Sequence, residues 1–223
     1  MLAAAATLRE QHHLGEGPQT DLLILGLSAT DYVGHTYGTE GSEMCLQMLA
    51  LDRELGDFFA RMDATGIDYM VVLTADHGGH DTPERNHDNA IPSAQRVDPA
   101  LAPSALSDRL KQDLRLTSVT GPLLYGDAPF GDFYVTRALP EAQRRRVMDA
   151  AIRLISANPQ VYHVYRGSEL AATPISTRSP ELWTIEERLR ASYNPLRSGD
   201  FIVVLKDRVT PIPETGLGYI ATH

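Results

Sequence analysis

Asp31 and His35 lie one helical turn apart in SATDYVGHTYG, and Asp76 and His77 are adjacent in TADHGGH. On a helix the first spacing puts a carboxylate and an imidazole on one face, where both can point at the same ligand. Neighbours on a strand point to opposite faces, so the second pair can share a site only if the backbone turns there. Gly78 and Gly79 supply the freedom for that turn, as Gly34 and Gly38 do around the first pair. Mixed carboxylate and imidazole donors suit Zn2+, Mn2+ or Fe. Two such pairs on neighbouring strands can hold two ions about 3.5 to 4 Å apart, a separation that serves in-line displacement at phosphorus. His223, the last residue, is a further candidate ligand.

Each pair alone has a plainer account. An aspartate near a helix start is more often a cap than a ligand, and Asp-His-Gly after a strand is common turn chemistry. Both pairs following apolar runs within one βαβ unit is what points to a metal site. His80, His87 and Asp88 fall in a polar stretch and read as solvated or near substrate rather than as direct ligands. His12, His13 and His163 have no partners at metal-site spacing. Tyr32 and Tyr37 fit an entrance lining or packing against the sheet equally well. Arg144, Arg145 and Arg146 read as a solvated helix face, and Cys45 as a small buried residue that can form no intrachain disulfide.

The elements that must carry these residues are legible in part. The apolar run from Asp21 to Leu27 and the run Tyr69 to Leu73 have the length and composition of strands buried on both faces of a parallel sheet. Between them Met44, Met48, Leu51, Leu55, Phe58 and Met62 recur at steps of three and four, which predicts a helix from Ser42 to Met62. Strand, helix and strand make a right-handed βαβ unit, with both acid and histidine pairs at the carboxyl ends of its strands, where open α/β sheets place ligands. Gly78 to Ser107 is too long for an ordinary connection and reads as a functional loop or the root of an insertion. Further on, the pattern predicts a helix from Glu141 to Ala157 burying Val147, Met148, Ala151, Ile152 and Ile155. A second helix is predicted from Thr184 to Tyr193, with Thr184 and Glu187 as a capping box. Strands are predicted at Phe201 to Leu205 and at Tyr219 to Thr222.

With DLLILGLSATDYVGHTYG, LDRELGDFFARMD and VVLTADHGGHDTPER in this order, and RSGDFIVVLKDRVTPI leading to GYIATH, the chain resembles the alkaline phosphatase superfamily. It looks most like bacterial alkaline phosphatases close to the type I phosphodiesterase and nucleotide pyrophosphatase group. The resemblance implies an α/β fold: a partial alkaline-phosphatase-like sandwich with a largely parallel central sheet, flanking helices and an inserted α+β segment. Residues 1–20 would be a lead-in, and 21–223 part of a catalytic domain containing a loop and cap-like region at 78–200. It implies two Zn2+ ions, with Mn2+ or Fe as substitutes. Asp31, His35 and His223 match the ligands of one, Asp76 and His77 ligands of the other. The family's nucleophilic Thr or Ser and its early aspartate have no match here, so no catalytic nucleophile is assigned. The chain is expected to be a fragment cut at both ends and inactive alone, of low stability and prone to aggregate.

The implied function is hydrolysis of phosphate monoesters through a phosphoenzyme in the full-length parent. The alternatives are a phosphodiesterase or nucleotide pyrophosphatase, and a non-catalytic metal-binding domain. The partner is a small phosphate ester, and the implied location is the periplasm or outside the cell. With 223 residues, 43% hydrophobic and 22% charged, the chain can bury a core, which excludes disorder. A net charge of −9 argues against binding duplex nucleic acid by phosphate neutralisation. No run reaches membrane-spanning length. The apolar start, Met1 to Leu8, lacks a basic leader and does not read as a signal peptide. Oligomeric state is left open.

Overall fold

The computed structural model describes residues 1–213, 220 and 221. The predicted strand at Tyr219 to Thr222 and the candidate ligand His223 therefore fall wholly or partly outside the described residues. The chain is α/β and divides into two compact units, Met1–Ile91 with Glu214–His223, and Pro92–Pro213.

The first unit holds α1 (Leu2–Gln11), α2 (Ala29–Tyr37), α3 (Ser42–Asp63) and α4 (Pro83–Asp88). The lead-in is thus ordered as a helix, and α1 packs on α3. The predicted oily stripe of α3 is its half-buried face at Met44, Leu51, Leu55, Phe58 and Met62, while Met48 is exposed. Cys45 is exposed on the same helix, not buried as expected, because it faces away from that stripe.

The two apolar runs differ from expectation. Residues 21–27 and 69–73 are neither helix nor strand and carry no ladder partners among the described residues. Ile24 is 81% exposed and Met70 87%. A parallel strand draws its ladder from adjacent strands and its cover from helices on both faces. The described residues of this unit supply helices but no neighbouring strand.

The second unit is self-contained. β1 (Gln95–Arg96), α5 (Pro103–Asp113), β2 (Leu124–Tyr125), β3 (Gly131–Val135), α6 (Glu141–Ser156), β4 (Val161–Arg166), α7 (Gly167–Ala172), α8 (Ile185–Ser192), β5 (Phe201–Leu205) and β6 (Val209–Thr210) follow in order. β1 pairs with β6 in parallel, whereas β2, β3, β5 and β4 form an antiparallel sheet in that spatial order. One core joins the sheet to α5 and α6. Val147, Ala151 and Ile155 of α6 are fully buried, with Met148 and Ile152 packed partly against them, so the predicted face is the buried one. Phe133 and Phe201 stack at 5.2 Å in the centre. Ser107 Oγ accepts the Leu123 and Leu124 N–H groups, so this buried hydroxyl satisfies backbone donors at the start of β2. α8 begins with the predicted capping box of Thr184 and Glu187. Among the described residues no helix is long and apolar enough to cross a membrane.

Phe133→Ala should lower unfolding stability by about 3–5 kcal/mol through the cavity it leaves, measured by denaturant titration followed at the second unit. Glu187 has a second expected consequence. The Arg178 guanidinium, then backbone and hydroxyl donors of the cap, hold its carboxyl at about 2 against an ordinary 4.5. A depressed folded value means stability that is full above 4.5 and lost as pH falls through about 2. The difference in thermal midpoint between the native chain and Glu187→Gln should therefore shrink across that window; a constant difference would exclude the cap as its source.

Candidate metal centre

Asp31 lies in the first turn of α2 and His35 in its last, so the helix itself brings the two side chains to one face. Their approach is 3.4 Å, Asp31 Oδ1 to His35 Nε2. The segment 67–75, neither helix nor strand, ends in a bend at Asp76. That bend returns His77 to the same carboxylate, with His77 Nε2 also 3.4 Å from Asp31 Oδ1. Asp76 Oδ2 is 3.7 Å from His77 Nε2, and its side chain is 90% exposed. Four of the five sequence-derived ligands thus gather in one chain of contacts centred on Asp31. The fifth, His223, lies outside the described residues. Among the described residues no three such side chains form a ready-made ion cage.

Both imidazoles are oriented by backbone. His35 Nδ1 is 2.9 Å from the Ala221 carbonyl and His77 Nδ1 is 2.7 Å from the Gly78 carbonyl. A carbonyl only accepts, so each Nδ1 is the donor in its contact, and each ring turns its Nε2 toward Asp31. Both Nε2 atoms thus lie beside the same carboxylate oxygen. Two donors bound to one tetrahedral Zn2+ at about 2.0–2.1 Å lie about 3.4 Å apart, the separation found here. The donor types and the two Asp31–imidazole separations therefore fit a divalent cation.

These residues line a cleft of 780 Å³ together with Thr30, Thr39 and His80, while Leu25, Leu27 and Leu73 supply apolar wall. His80, read from sequence as solvated or near substrate, is in that lining. Neither Tyr32 nor Tyr37 lines it, and both are exposed. His87 and Asp88 sit on α4. Of the histidines without metal-site spacing, His13 contacts Glu16 and His163 lies edge-on to Tyr165. Arg144 is partly buried rather than solvated, with ion pairs to Glu141 and Asp200.

Two features escaped the sequence reading. The Ala221 carbonyl that orients His35 is backbone and leaves no signal in residue type. Asp81 and Arg85 form an ion pair beside the cleft, and the Asp81 side chain is only 2% exposed. Their spacing of four was a visible signal.

A family model described as type I phosphodiesterase / nucleotide pyrophosphatase matches residues 2–216. The chain is 50% identical to the alkaline phosphatase PhoK of a Sphingomonas species over 223 residues, covering 100% of this chain and 40% of the relative. It is likewise 50% identical to the alkaline phosphatase PhoD of Zymomonas mobilis, covering 98% of this chain and 38% of the relative. It therefore spans about two fifths of the length of these curated relatives. A crystal structure of wild-type alkaline phosphatase PafA superposes with a TM-score of 0.78 at 24% identity, over 99% of this chain and 41% of that one, and so shares its fold.

The tautomers are directly measurable. Long-range 15N spectra above pH 8 should show His35 and His77 protonated at Nδ1; protonation at Nε2 in either ring would remove the cation-binding arrangement.

Proposed function

We propose that this chain, which belongs to the type I phosphodiesterase / nucleotide pyrophosphatase family within the alkaline phosphatase superfamily, carries metal ligands of a phosphate monoester hydrolase. In this reading Asp31, His35 and His223 hold one Zn2+, and Asp76 and His77 contribute to a second, Mn2+ or Fe being substitutes. The observation that carries it is the single carboxylate oxygen of Asp31 set 3.4 Å from two imidazole Nε2 atoms. Bound ions would supply charge neutralisation at the phosphoryl group and acidify a water. The protein's own residues do the positioning. Asp31 offers the shared carboxylate, His35 and His77 are fixed in the binding tautomer by their Nδ1–H bonds, and Asp76, being exposed, can swing to complete a site.

The reading extends to a covalent phosphoenzyme and to a location in the periplasm or outside the cell, where phosphate esters are scavenged. The names of the relatives at 50% identity favour monoesters as substrates. The family description favours the second reading, phosphodiester or nucleotide pyrophosphate cleavage.

A chimera decides between them. With this chain replacing the matching stretch of the Sphingomonas alkaline phosphatase, p-nitrophenyl phosphate should be hydrolysed faster than bis-p-nitrophenyl phosphate, and the reverse order assigns the diesterase. His77→Ala in the chimera should cost about 100-fold or more in monoester turnover, and a chelator should abolish it. Full activity of that variant would remove His77 from the site.

A further inference from the structure

Asp81 stands four residues beyond His77, and its side chain is buried without lying among the candidate ligands. Oδ1 accepts the backbone N–H of Thr39 at 3.0 Å and of Glu40 at 3.4 Å, and it pairs with Arg85 Nη1. Arg85 Nη2 in turn donates to the Tyr37 carbonyl at 3.1 Å, at the C-terminal end of α2 where carbonyls lack helical partners and a cation is favoured. One ion pair therefore ties the segment carrying Asp76 and His77 to the end of the helix carrying Asp31 and His35.

The packing leaves no slack in this tie. Gly38 has φ +81°, and a Cβ there would fall on Asp81 Oδ1. A Cβ at Gly79 would come within 2.8 Å of Thr39 Cγ2. Asp81 Oδ2 is fully enclosed and has no hydrogen-bond donor among the described residues. An enclosed carboxylate oxygen without a donor is unfavourable for folding, and such groups call for a functional account.

We propose that Asp81, with Arg85, is a positioning residue that sets the separation between the Asp31–His35 pair and the Asp76–His77 pair. It touches neither ion nor substrate. This inference rests on the metal reading above, and the test separates the two. Zn2+ affinity of the full chain is measured by competition with a chromophoric chelator, with helix content followed by circular dichroism. Asp81→Ala, which keeps every proposed ligand, should weaken Zn2+ binding about 10- to 100-fold at unchanged helix content. Asp81→Asn should recover most of the loss, because one oxygen still accepts both backbone N–H groups. Arg85→Gln should weaken binding in the same direction and serves if the alanine variant fails to fold. Native affinity in a folded Asp81→Ala or Arg85→Gln chain would overturn the positioning role alone. If the native chain binds Zn2+ no better than a chain with Asp31→Ala and His77→Ala, the metal reading itself fails and the positioning role falls with it.

Discussion

Two imidazoles turned onto one carboxylate oxygen are the constraint on which the first unit turns. His35 and His77 each point Nδ1 at a carbonyl, so their Nε2 atoms meet the Asp31 carboxylate across 3.4 Å. Donor atoms gathered in this way favour a positive charge among them, whether a proton or a cation. Everything near it serves geometry: a helix turn for the first pair, a bend for Asp76 and His77, and glycines where side chains would collide.

The second unit obeys a different logic. It buries Phe133, Val147, Ile155 and Phe201 completely and closes its own antiparallel sheet, whereas the first unit has no fully buried residue in α2 or α3. The two parts therefore differ in what stabilises them. One has a packed core, whereas in the other the apolar segments 21–27 and 69–73 find little cover among the described residues.

Residues whose role depends on local periodicity were legible from sequence. The stripe of α3, the buried face of α6, the Thr184 and Glu187 capping box and the strand Phe201–Leu205 all follow from spacings within one element. The Asp31 to His35 spacing was legible for the same reason. What depends on distant partners was not. The runs 21–27 and 69–73 have strand composition, yet composition cannot supply a ladder neighbour. The pairing of β2 with β3, two strands whose residues carry little apolar alternation, and the carbonyl of Ala221 on His35 are tertiary facts. Cys45 was misjudged because cysteine is buried on average, and its position on α3 overrides the average.

Where the chain enters and leaves the second unit, Gln95 lies beside Val209 and Arg96 beside Thr210, running in the same direction. Adjacent strands are about 4.8 Å apart. The polypeptide thus resumes its course one strand's width from where it broke off, still heading the same way. Because entry and exit lie side by side within this unit, a change in chain length between them need not displace either end.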